Sequence, residues 1–180
     1  MRFSGKLTKT ECIGAIDKAR FENYLALMHS IARKKDELTL ITSKLGSPAS
    51  IKYSDMPRNP NKKKDKISFL IQEKIEIEND ISALEKCRET EREKLMLAVS
   101  MLEDPNNIKK LYREPKVLIA EASVLRLRYF GMFQWSEIND AFHSGEPDFE
   151  LKKEDFQRKI FRYHGNAFID LKKVLQAANN

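Results

Sequence analysis

Gln157, Arg158, Lys159, Phe161 and Arg162 crowd into the stretch "FQRKIFRYHGNAFIDL", and their side chains are of the kinds that read base-pair edges. Arg158 and Arg162 are one helical turn apart, so on a helix they share a face. Each guanidinium can grip a guanine through two parallel hydrogen bonds, and the amide of Gln157 suits adenine. Lys152, Lys153 and Lys159 are placed to meet phosphate, which sets a helix on a duplex without reading its sequence. Phe161 and Asn166 fall on the same outward side. Other chemistry is harder to build. No nucleophile sits beside a base, and no glycine-rich loop cradles phosphate. His29 and His143 lack His, Cys or carboxylate neighbours at metal spacing. Cys12 and Cys87 have neither metal nor redox spacing. No catalytic residue, metal or cofactor is expected.

The elements that must hold this face are helices. Leu151, Phe156, Ile160, Tyr163, His164, Ala167, Leu171 and Val174 form an apolar stripe along a long final helix. His164 lies on that stripe and reads as a packed side chain. Ahead of it, "VLRLRYFGMFQWSEINDAF" gives two more elements. Val117, Leu118, Val124, Leu125, Leu127 and Tyr129 make an apolar helix that ends near Phe130-Gly131, with Gly131 expected in the left-handed conformation of a helix end. Trp135, Ile138, Ala141 and Phe142 then give a short helix with one buried face, starting near Gln134 or Ser136. Trp135, the single tryptophan, is its expected packing anchor.

The remainder predicts a helical hairpin. Tyr24, Leu27, Ile31, Leu38, Ile41 and Leu45 keep to one seam, interrupted by Lys34, whose stem can lie along a partner. A second seam runs Ile67, Leu70, Lys74, Ile77, Ile81, Leu84, Arg88, Glu91, Leu95, Ala98, Leu102 in alternating steps of three and four, the period of a left-handed coiled coil. Its polar members beyond Leu84 call for a further helix or a second chain there. Residues 46–66, "GSPASIKYSDMPRNPNKKKDK", contain three prolines and a glycine, which no helix crosses. Lys62, Lys63 and Lys64 in this loop read as a solvated charge run before they read as a phosphate contact. The second helix should stop at Glu103-Asp104-Pro105, a short helical turn should cover Ile108–Tyr112, and Pro115 should open the next helix. The expected organisation is all-α: a tail over 1–14, an antiparallel coiled-coil hairpin over 15–104, a linker over 105–115, and a helix-turn-helix unit over 116–180.

Charge is uneven along the chain. Residues 1–66 hold 15 Lys/Arg against 7 Asp/Glu, whereas residues 116–180 hold 10 against 9. Long-range attraction to a polyanion would therefore begin in the N-terminal third. The N-terminus lacks the apolar core of a signal peptide, and the longest apolar run, Leu95–Val99, is far too short for a membrane span. A soluble protein of the cytoplasm is expected.

A helix, a short helix, a loop and a long helix with an Arg-bearing outer face make the pattern of a helix-turn-helix, which lays its last helix in the major groove. "VLRLRYFGMFQWSEINDAF" followed by "FQRKIFRYHGNAFIDL" resembles region 4 of sigma-70-type factors. It is more closely similar to the ArpU- or RinA-like transcriptional regulators of phages of Gram-positive bacteria. The elements that carry the likeness are Leu125–Tyr129, Trp135 to Ile138, and His164, Gly165, Ala167 and Phe168. The loop segment "YSDMPRNP" with the following "DKI" is similar to that family's linker. The turn "HSGEPDFELKKED" over 143–155 is longer than the family's. The resemblance implies a phage or prophage regulator of late genes, an activator in a bacterial host cell. The final helix would read promoter DNA while the hairpin makes a dimer or touches RNA polymerase. Two other functions share the pattern: a small terminase subunit that marks viral DNA for packaging, and a protein-interaction module that modulates the polymerase or another partner.

Overall fold

The computed structural model describes residues 16–46, 66–111 and 113–179 of the chain. Among them every regular element is helical. The elements are α1 (Lys18–Gly46), α2 (Lys66–Leu102), α3 (Pro105–Leu111), α4 (Pro115–Leu125), α5 (Trp135–His143) and α6 (Lys153–Asn179). A π-helical turn, Arg126–Phe130, extends α4. The tail 1–14, the loop lysines Lys62, Lys63 and Lys64, and Cys12 lie outside the described residues. No described helix is long and apolar enough to cross a membrane.

The chain divides into two compact units, one over Ala26–Glu89 and the other formed by Met1–Leu25 with Thr90–Asn180. In the first, α1 and α2 run antiparallel along the two expected seams. Ile41, Ile77 and Ile81 are buried together, with Leu38, Leu45 and Leu70 packed against them. Ile67, the first member of the second seam, is exposed instead. Lys34 keeps its place in the α1 seam by sending its ammonium out to Asp80 at 2.7 Å, and that carboxylate raises its pKa. Lys35 meets Glu85 at 2.8 Å in the same manner. Both pairs are exposed enough to set register more than stability.

The second unit is broader than the expected 116–180, because the ends of α1 and α2 belong to it. Leu95, Ala98, Val99 and Leu102 have no exposed surface, so α2's seam gains its depth at the apolar members beyond the polar Arg88 and Glu91. Each fully buried Leu or Val there contributes about 1.5–3 kcal/mol. Glu91 on that seam accepts two hydrogen bonds from Arg20, at 2.8 and 3.0 Å, and the guanidinium holds its carboxyl below the usual range. α2 stops at Leu102, where Asp104-Pro105 ends it as expected. Pro115 opens α4 at its first turn.

Deep in this unit a charge cluster joins three segments. Arg113, just before α4, donates to Asp170 of α6 and lies 3.1 Å from Glu121 of α4. Lys173 donates to the other oxygen of Asp170 at 3.0 Å. Glu121 and Asp170 are almost wholly buried. Burial pushes the Glu121 carboxyl up to about 7, with Arg113 pulling the other way. Taking away one partner of such a group leaves a charge stranded in low dielectric, at a cost of roughly 3–5 kcal/mol.

The π-helical turn answers a geometric need. Its extra residue per turn rotates Tyr129 and Phe130 together toward the start of α1. Phe21 there lies 5.0 Å from the Tyr129 ring and 6.4 Å from Phe130, and Tyr24 lies 5.6 Å from Phe130. Arg126 faces α2 instead and grips Glu103, one of the two bonds measuring 2.6 Å. The turn closes through the amide of Gly131, which donates to the Arg126 carbonyl at 3.0 Å. The expectation for Gly131 is corrected here. Its φ is −84°, in the right-handed region, and Met132 takes the left-handed conformation with φ 58°. Glycine is required for a different reason: a Cβ on residue 131 would lie 2.7 Å from the Phe133 ring and 2.9 Å from the Leu127 carbonyl oxygen.

Candidate nucleic-acid interface

α4, α5 and α6 meet at Val124, Ile138 and Ile160, around which Leu127, Trp135, Phe142 and Tyr163 pack. The start of α5 is fixed by a reciprocal cap. The Gln134 side chain takes the third-residue amide, and the Glu137 carboxylate takes the Gln134 amide at 2.6 Å. Trp135 is the next residue, which puts the largest side chain of α5 at its best-anchored end.

Trp135 touches both neighbouring helical segments. Arg128 stands over its ring at 4.9 Å and donates to the Phe133 carbonyl at 3.0 Å. His164 and Phe161 of α6 meet it edge-on, at 4.9 and 5.0 Å. His164 is a packed histidine, stacked near Tyr129 with its Nε2 3.0 Å from the phenol oxygen. Burial lowers its pKa to about 4 and raises that of Tyr129 to about 12, so at neutral pH both groups are uncharged.

The residues expected to meet DNA gather on and just before α6, in unequal states. Arg158, Lys159, Phe161 and Arg162 are exposed, whereas Gln157 and Asn166 are half-buried at the side. Arg158 is held by Asp155 at 3.1 Å and lies 3.6 Å from Glu154. Lys152 is paired with Asp148 at 2.7 Å. Lys153 lies 3.4 Å from Asp140 and 5.1 Å from the Phe149 ring. Arg162 has no acidic partner among the described residues, and Lys159 lies 5.9 Å from the Tyr163 ring. These cations thus range from tethered to free.

Two members of the apolar stripes are corrected. Leu151 precedes α6 and is exposed, and Ala141 faces solvent because α5 turns Asn139 and His143 inward in its place. The reason lies in the long turn between α5 and α6, which is folded. Amides of Glu146, Phe149 and Leu151 donate back to the carbonyls of His143, Glu146 and Asp148. Phe149 is thereby tucked in, 6.0 Å from Phe156, which also stacks on His143 at 4.4 Å. Asn139 reaches across to the Lys153 carbonyl at 3.2 Å. Sequence reasoning missed this Asn139–His143–Phe149–Phe156 joint. The nearest signal for it was the aromatic density of 142–156. Burial and the nearby Lys159 lower the His143 pKa, so this imidazole is neutral too.

The arrangement can present one face of α6 to a groove, with α5 and the folded turn fixing its angle. No metal-binding cluster of His, Cys, Asp and Glu occurs among the described residues. Compared with known proteins, the chain matches no family model, no curated protein and no solved structure.

Proposed function

We propose that this protein is a DNA-binding transcription regulator of the ArpU- or RinA-like phage type, an activator of late genes that reads promoter DNA through α6. One observation carries the reading. Arg162 stands exposed on the outward face, and Lys159 exposed at its margin, on a helix whose inner face is locked to α4 and α5 through Ile160, Val124 and Ile138. A rigid helix that carries exposed cationic side chains can dock in the major groove. In this reading the hairpin of α1 and α2 supplies a dimer contact or a surface for host RNA polymerase.

Fluorescence anisotropy on tiled fragments of the surrounding genome, at two salt concentrations, tests it. One fragment should bind at least about 1000-fold more tightly than the rest, as specific sites do. An Arg158→Ala/Arg162→Ala double variant should lose that preference. Uniform weak binding that salt abolishes and the double variant leaves unchanged would sink the model.

A second reading rests on the tethered cations. Arg158, Lys152 and Lys153 each face a carboxylate of this same unit, which withdraws positive charge from phosphate. A helix-turn-helix so neutralised suits a protein-interaction module. RNA polymerase or another partner would then co-purify with the chain, and salt-dependent DNA binding would be absent.

A further inference from the structure

Two residues on the outward strip of α6 are unexplained by the fold. Phe161 keeps 44% of its surface exposed, although its edge-on contact with Trp135 holds the ring in place. Gly165, one turn further along, faces open space: a Cβ there would meet nothing within 4 Å. Glycine in a helix interior is about 1 kcal/mol worse than alanine, so neither packing nor helix stability accounts for it. Helical spacing puts Arg158, Phe161, Arg162 and Gly165 on the side of α6 away from buried Ile160, Ala167 and Leu171. The strip therefore offers a held apolar ring that falls in sequence between two arginines, and beyond it, at Gly165, one residue of helix backbone with no side chain, before exposed Ile169 a turn further on.

We propose that Phe161 reads the 5-methyl group of a thymine, with Gly165 letting the backbone of α6 approach the sugar-phosphate beside it. The inference rests on the DNA-binding reading above. In the major groove thymine is distinguished from the other bases by that methyl group, and apolar side chains are what contact it. A ring fixed by Trp135 loses little freedom on making the contact, whereas a mobile side chain would. Arg158 and Arg162 precede and follow Phe161 by three residues and one on the same side of α6, so they would meet bases on neighbouring steps, and the element read is a thymine adjoining guanine.

The full chain would be used to select a duplex from a randomised pool. Each thymine of the winner would then be replaced singly by deoxyuridine, which lacks only the methyl group. Anisotropy should show about fourfold weaker binding at one position, the worth of one buried methyl. Phe161→Ala should bind the thymine and deoxyuridine duplexes equally at that position. Gly165→Ala should weaken binding to the selected duplex without lowering Tm. A selected duplex whose deoxyuridine scan is flat, or whose loss persists in Phe161→Ala, overturns the methyl contact and leaves DNA reading intact. If no duplex is enriched, both fall, and Phe161 belongs to a protein contact.

Discussion

The indole of Trp135 meets the ring of Phe161 edge-on, 5.0 Å between centroids, and so ties the scaffold helix α5 to the outward face of α6. A tryptophan that also supports Arg128 and His164 acts on the exposed strip without needing to touch a ligand. Trp135→Ala should destabilise the fold by about 2–3 kcal/mol, below the range for a fully buried Trp because the ring is half-buried. Denaturant unfolding measures this. Trp135→Phe should recover most of the stability. An unchanged unfolding midpoint in Trp135→Ala would remove Trp135 from the core.

The two glycines flanking this region should respond oppositely to the same substitution. Gly131→Ala forces a methyl group against the Leu127 carbonyl oxygen, a backbone atom that cannot swing away. A loss of about 1–3 kcal/mol is expected, as for other overpacking changes. Gly165→Ala meets no neighbour and should gain about 1 kcal/mol of helix propensity. Thermal melts of the two variants beside the parent decide it. A stabilised Gly131→Ala would refute the close approach.

These contrasts show what could be read from the sequence. The seams of α1 and α2 were visible because a repeat of three and four residues survives single polar members such as Lys34. The stop at Leu102 and the start at Pro115 followed from proline stereochemistry. Gly131 marks the helix end in the sequence but not the cause, since a close approach and a left-handed φ call for the same residue type. The π-helical turn left no pattern, because it shifts phase by one residue inside an already apolar stretch. Nor did Glu121 announce its burial. Its partners Arg113 and Asp170 come from other segments, and only the folded chain brings them together. The outward residues of α6 were readable as a face, but their tethering by Glu154, Asp155, Asp140 and Asp148 was not.

The dependence of stability on pH should be blunted over a window where buried groups oppose each other. Glu121 is raised from 4.5 to about 7 in the fold. The folded state therefore holds the extra proton, and stability falls as pH rises between those values. His164 is lowered from 6.5 to about 4, so the unfolded state holds the extra proton and stability rises with pH over that span. His143, also lowered, adds to the rising side. Glu121→Gln should expose a stability that climbs from about pH 4 to 6.5. His164→Phe should expose one that declines from about pH 4.5 to 7. Melts across pH 4–8 read both, and parallel profiles in parent and variants would refute the opposition.

Arg158 and Arg162 should contribute unequally to binding. In the free protein Arg158 is engaged by Asp155 and Glu154, so it must exchange those contacts for any it makes with a base. Arg162 has no such contact to give up. Removal of Arg162 should then cost about 1–3 kcal/mol at one base position, the range for a bidentate guanine contact. Arg158→Ala should cost less, because Arg158 gives up its contacts with Asp155 and Glu154 to make any with a base, which offsets part of what the base contact contributes. Neutralising the tether instead, with Glu154→Gln/Asp155→Asn, should strengthen binding and steepen its salt dependence as one more cation becomes available. Anisotropy on the selected duplex at several salt concentrations compares the three. Equal losses for the two arginines, with no gain from releasing the tether, would mean that the ion pairs of α6 are irrelevant to its partner.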